Sequence, residues 1–138
     1  MQSLAPRHRA LVRRSFSRVA CCHPQIAQCF FDRLFALDPE IERLFPADLS
    51  AHRRKLMQML ALLVSALDEP DRFADLTRRL IERHLGYGVQ LQHFRLAREA
   101  LLWALEQNLG SQFTPPVRAA WTAFYEAILD GALSVEGT

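Results

Sequence analysis

Leu76-Thr77-Arg78-Arg79-Leu80-Ile81-Glu82-Arg83-His84-Leu85-Gly86-Tyr87-Gly88-Val89 is the stretch on which the reading of this chain turns. Leu76, Leu80 and His84 recur every four residues, so a helix stacks them on one stripe, and that stripe is apolar enough to face the interior. Gly86 and Gly88 then end the helix. A second histidine, His52, opens another strongly apolar helix, on the face that also carries Leu56, Met59, Leu60, Leu63 and Leu67. Two inward histidines on two helices predict a ligand shared between them.

A histidine on an apolar helix face is most often a packed core residue with a hydrogen-bonded ring. Two buried imidazoles without an obvious carboxylate partner are costly, however, unless something else satisfies them. A metal does so. Structural zinc fits poorly, because it usually takes four protein ligands and no cysteine lies near either histidine in sequence. Haem iron needs only one or two.

Working outward, 138 residues at 50% hydrophobic content predict one compact domain over 1–138 with its own core and no room for a second catalytic domain. A formal net charge of +2 is too small to imply nucleic-acid binding. No apolar run of signal-peptide length follows the charges of Met1-Gln2-Ser3-Leu4-Ala5-Pro6-Arg7-His8-Arg9, and none reaches the ~20 residues of a membrane span. The expectation is therefore a cytoplasmic protein without membrane contact. Cys21, Cys22 and Cys29 are odd in number and lack disulfide-framework spacing, which fits a reducing compartment. A metal cluster of Cys21, Cys22, His23 and Cys29 is disfavoured because adjacent cysteines chelate awkwardly.

Helical spacing recurs along the whole chain. Leu11, Val12, Phe16 and Val19 mark a first helix over 5–21, and Ile26, Cys29, Phe30, Leu34 and Phe35 a second that ends near Leu37. Asp38-Pro39 is an N-cap and first-position proline for a short third helix reaching Leu44-Phe45, which Pro46 breaks. The His52 helix spans 48–67, and Asp68-Glu69-Pro70-Asp71 turns the chain into the His84 helix. Phe94, Ala97, Leu101, Leu105 and Leu109 mark a long helix to Gly110; Val117, Trp121, Phe124 and Ile128 mark a last one after Thr114-Pro115. Nothing alternates with period two, so the fold class is all-α.

At this point the residues resemble a globin, over nearly the whole chain from Leu11 to Leu133. Phe30-Phe31-Asp32-Arg33-Leu34-Phe35-Ala36-Leu37-Asp38-Pro39 with Leu44-Phe45 is similar to the second and third helices of bacterial single-domain globins and neuroglobin. His52-Arg53-Arg54-Lys55-Leu56-Met57 is similar to the start of the distal helix, Arg83-His84 with Tyr87-Gly88-Val89 to the proximal histidine and its corner, and Ala119-Ala120-Trp121 with Tyr125 to the last helix. The resemblance implies a globin fold of about seven helices and a b-type haem whose iron is bound by His84. It places His52 at the distal position, as hydrogen-bond donor or second iron ligand, 32 positions (84 − 52) away. It further implies distal contacts from Phe31, Phe45 and Leu56, proximal lining by Leu80, Val89 and Phe94, a place for Tyr87 behind the proximal histidine, and cations Lys55 and Arg83 near the propionates.

Only 7 residues (52 − 45) separate Phe45 from His52, which leaves no room for the small helix that vertebrate oxygen carriers place there. Flavohaemoglobins resemble the chain too, but usually have tyrosine where Phe31 and Phe94 stand and glutamine where His52 stands. The implied function is reversible binding of O2, NO and CO, as in oxygen binding or transport. One alternative is an NO dioxygenase, or a nitrite- or peroxide-reactive haem enzyme, supplied with electrons by a separate reductase. Another is a haemless globin-like sensor or interaction module, which has no need of histidines at both positions.

Overall fold

The computed structural model describes residues 4–136, with side chains described through Asp130. Residues 1–3, part of the stretch read for a leader, lie outside the described residues. Six α-helices follow one another: α1 Pro6–Cys22, α2 Ile26–Leu37, α3 Ser50–Ser65, α4 Pro70–Gly86, α5 Leu91–Leu109 and α6 Pro115–Glu136. Two 3₁₀ helices, Pro39–Leu44 and Gly110–Gln112, complete the set, and no strand occurs among the described residues. The expected third helix exists, but as a 3₁₀ helix. Asp38 accepts the Glu40 N–H and Pro39 sets the first turn. With Pro46 so close, the segment has too few residues for the α-helical hydrogen-bond pattern to propagate. No helix lies between Leu44 and Ser50, as the short spacing required.

Proline opens four of these elements, where its missing N–H costs nothing: Pro6, Pro39, Pro70 and Pro115. Helix α4 runs one residue into the first of its two glycines; Gly88, at φ +90°, then takes the left-handed turn that a side chain would resist. The Val89 N–H returns to the His84 carbonyl at 3.2 Å, closing the corner directly behind the histidine.

The core is assembled by α2 packing on α5 and by α1 and α4 packing on α6. Trp121 and Phe124 of α6 are fully buried at its centre, with Val12, Val19, Leu63, Ile81 and Leu105 around them. The Trp121 indole N–H donates to Ser15 Oγ at 2.8 Å, and Ser15 in turn donates to the Leu11 carbonyl at 2.7 Å. A polar link thus ties α1 to α6 inside the apolar core with each donor satisfied.

The cysteines depart from the expectation of free thiols. Cys21 and Cys22, at the exposed end of α1, are joined in a disulfide between adjacent residues, and only Cys29 is free. A framework disulfide needs sequence distance between its cysteines, which is why spacing gave no sign of this pair.

Ser15→Ala strands the buried Trp121 N–H. We expect it to lower stability by about 1–3 kcal/mol, the desolvation penalty of an unpaired donor. A urea unfolding curve with an unchanged midpoint would show that the link contributes nothing.

Candidate cofactor pocket

Helix α4 carries two apolar stripes, and only one enters the core. Phe73, Thr77 and Ile81 are its buried residues. Leu76, Leu80 and His84 sit three positions further on, about 60° around the helix, and are half-buried. As expected, Leu76 and Leu80 of this second stripe pack against the core, but from its edge, so that the stripe stays half-buried. Helices α3 and α4 barely touch, although both pack elsewhere. The apolar side chains Leu49, Leu56, Met59, Leu76, Leu80, Leu85 and Val89 are partly buried on the edge of the core cluster.

On the α4 side, His84 Nδ1 lies 2.7 Å from the Leu80 carbonyl oxygen. A carbonyl only accepts, so Nδ1 carries the proton, and in the neutral ring Nε2 keeps a free lone pair. This is the arrangement that orients a metal-binding imidazole. The buried Phe94 ring packs against His84 with centroids 5.8 Å apart. Phe94 is held in turn by Tyr125 of α6, whose buried hydroxyl donates to the Phe94 carbonyl.

On the α3 side, the His52 ring packs edge-on against Phe45 at 5.0 Å between centroids. Phe45 contacts Phe31 and Phe35 at 5.5 Å each, and Phe31 contacts Phe30 at 5.1 Å. Phe45 thus lies against His52 and is itself backed by Phe31 and Phe35. His52 Nδ1 is buried without any hydrogen-bond partner, the one such side-chain nitrogen or oxygen among the described residues. Buried polar atoms ordinarily have partners, so this nitrogen is a position at which a bound group could be received. Among the described residues no three His, Cys, Asp or Glu side chains gather to hold a metal by themselves. That leaves a prosthetic group needing one or two imidazoles in an apolar slot, and haem fits both the donors and the walls.

With this geometry in place, comparison with known sequences is decisive. A sequence model of the family described as Globin matches residues 15–132. The chain belongs to the globin family. It is 30% identical to neuroglobin of Danio rerio, 29% to neuroglobin of Chaenocephalus aceratus and 28% to neuroglobin of Tetraodon nigroviridis. Each similarity spans 94% of this chain and 90% of the relative. The globin family is one of haem-binding proteins that take diatomic gases such as O2, and the globin fold accounts for the helix order seen here. No helix among the described residues is long and apolar enough to cross a membrane.

Of the residues singled out in the sequence, the structure brings Phe31, Phe45 and His52 together on one side, and Leu80, His84 and Phe94 on the other. Leu56 and Val89 are half-buried and pack against the core, Leu56 beside a small cavity that Phe30 and Leu60 also line. Lys55 and Arg83 are exposed. Tyr87 departs from its expected place: it is the C-cap of α4 and 74% exposed, so the corner turns its ring towards solvent. The brace that sequence reasoning missed is Tyr125 on Phe94. Tyr125 stood out in the sequence only as part of the likeness to the last globin helix, one turn beyond Trp121, with nothing to show what its hydroxyl meets.

Burial pushes the Tyr125 phenol far above its ordinary value of 10.0. The folded state therefore holds this proton more tightly than the unfolded chain. Below pH 10 both states keep it and no slope arises; above pH 10 the unfolded chain loses it first, and stability falls as pH rises, by up to about 1.4 kcal/mol per unit. Tyr125→Phe is expected to be less stable at neutral pH yet to show a shallower decline above pH 10. Parallel stability curves for the two proteins on either side of pH 10 would contradict the assignment.

Proposed function

We propose that the chain binds haem b non-covalently between α3 and α4 and, through it, reversibly binds O2, NO and CO. The observation that carries this reading is His84, whose Nδ1 is committed to the Leu80 carbonyl while Nε2 stays available at the edge of an apolar crevice. The sequence has no Cys-x-x-Cys-His stretch for covalent attachment, which supports the b type. Haem iron, when bound, supplies the coordination position that a gas occupies.

The chain's own residues do the rest. Leu80 fixes the tautomer and direction of His84, and Tyr125 holds the segment that presses Phe94 against the ring. Phe31, Phe35 and Phe45 enclose the distal space with apolar surface and leave no hydroxyl there to retain water. His52 is the polar group beside that space, able to donate an N–H to a bound ligand or to offer a lone pair to the metal.

The finer reading is that, without an external ligand, His52 coordinates the iron and the haem is six-coordinate. The unpartnered buried nitrogen of His52 and the absence of a distal hydroxyl favour it. If internal coordination is preferred by about 100-fold, a gas meets a competent fraction of roughly 1% and loses about 2.7 kcal/mol of apparent affinity.

His84→Ala is expected to abolish stable haem retention and to lower the melting temperature of the haem-reconstituted protein, since haem stabilises only the folded chain. Purification of that variant with full haem and an unaltered visible spectrum would refute the proximal role. His52→Leu should convert the ferrous protein from sharp split visible bands to one broad band and accelerate CO binding. A wild-type ferrous spectrum that already shows the broad band would refute the bis-histidine reading and leave the haem site standing.

A further inference from the structure

The first half of α3 is poorly anchored. Its cap residue Leu49 makes no side-chain capping bond, and the first buried side chain of the helix is Leu60, ten residues in. His52 sits in this loosely held half. Besides the His52–Phe45 contact and the partly buried Leu49, Leu56 and Met57, a chain of side-chain hydrogen bonds that the haem site itself does not use joins it to the body of the protein. Arg53 donates through one guanidinium nitrogen to Gln28 Oε1 of α2 at 2.9 Å and through the other to Ser50 Oγ at 3.3 Å. Gln28 Nε2 donates onward to Asp32 at 2.7 Å. Ser50 donates its hydroxyl and its backbone N–H to Asp48, at 2.7 and 2.9 Å. The Asp48 carboxyl is held below its usual range by those two bonds and then by the nearby Arg53 and Arg54 charges.

The order of groups along this chain is chemically forced. Arginine can only donate and a carboxylate can only accept, so the Gln28 amide has one orientation that satisfies both neighbours. Gln28 also lies one turn before Phe31 on α2, and Arg53 adjoins His52 on α3. The chain therefore ties together the two helices that carry the distal residues, at the end of α3 whose apolar side chains are only partly buried.

We propose that Arg53, held by Gln28, is a positioning residue that fixes the first turn of α3 and thereby limits how readily His52 moves towards and away from the iron. This rests on the bis-histidine reading above. Arg53 touches neither the cofactor nor a gas; it acts through the helix that bears His52. Breaking its bond to Gln28 frees that helix end to move, so His52 release quickens while the rest of the fold is untouched.

The test uses the haem-reconstituted ferrous protein mixed with CO, where binding is limited by His52 release, together with amide hydrogen exchange on the apoprotein. Arg53→Ala and Gln28→Ala are each expected to raise the limiting CO rate by about 3–10-fold, the effect of losing one partly solvated hydrogen bond to a charged group. The double variant should be no faster than Arg53→Ala alone, because that change already cuts the link to Gln28 along with the bond to Ser50. Arg53→Lys should fall between, keeping the charge but losing the fork. Arg54→Ala, an exposed neighbour of the same charge, should leave the rate unchanged. In the apoprotein, Arg53→Ala should speed exchange at residues 50–56 while α5 and α6 stay protected. Unchanged CO rates in both single variants, or additive rates in the double, would overturn the proposal. A ferrous spectrum insensitive to His52→Leu overturns the bis-histidine reading and the iron-directed proposal with it, whereas a sensitive spectrum with unmoved Arg53 and Gln28 variants overturns the proposal alone.

Discussion

The structure depends on a constraint within α4: one helix has to present two different surfaces to two different neighbours. Phe73, Thr77 and Ile81 seat it on the core, with Phe73 against Phe124 of α6 at 6.0 Å between centroids. That seat fixes the rotation of the helix about its own axis. Once it is fixed, Leu76, Leu80 and His84 lie at the edge of the core and stay half-buried. The Leu80 carbonyl, one turn earlier on the same stripe, is then directly beneath the His84 ring. The backbone that makes the helix thus also selects which nitrogen of the histidine is available.

The two sides of the crevice are built to different standards of rigidity. The α4 side is braced from behind by buried groups: Phe94 against His84, Tyr125 against the Phe94 carbonyl, and Trp121 tied to Ser15 further into the core. The α3 side relies on aromatic contacts and a partly solvated hydrogen-bond chain, and the first fully buried side chain of its helix is Leu60. This asymmetry suits a site in which one imidazole stays on the metal and the other shares its place with a gas. Rigidity is needed for the ligand that remains, and modest local stability for the one that exchanges.

Much of the fold was legible in the sequence, because amphipathic periodicity and proline and glycine punctuation are local properties. The two histidines stood out for the same reason, each being a polar group on an apolar stripe. The distal phenylalanines Phe31 and Phe45 emerged only through likeness to known globins, since an aromatic residue in a helix looks the same whether it meets a core or a cofactor. The stripe of Leu76, Leu80 and His84 was rightly read as inward, but periodicity identifies an apolar face without saying how deeply it is buried, and this one stays at the edge of the core. Tyr87 was drawn to the pocket by its place beside the histidine, but the backbone geometry of the Gly88 corner turns it outward.

The sequence by itself determined the all-helical class, the helix order, the missing helix before α3 and the identity of His84 as the residue to watch. These follow from spacing along the chain, which the helix converts directly into geometry. Only the tertiary structure decided which nitrogen of His84 is free, that His52 keeps a buried nitrogen without a partner, that Tyr125 braces Phe94 31 residues away, and that Arg53 reaches Gln28 across 25. The first is a side-chain choice within α4, whereas the other three depend on the angle at which separate helices pack. That angle is set by many side chains acting together and has no local signature in the chain.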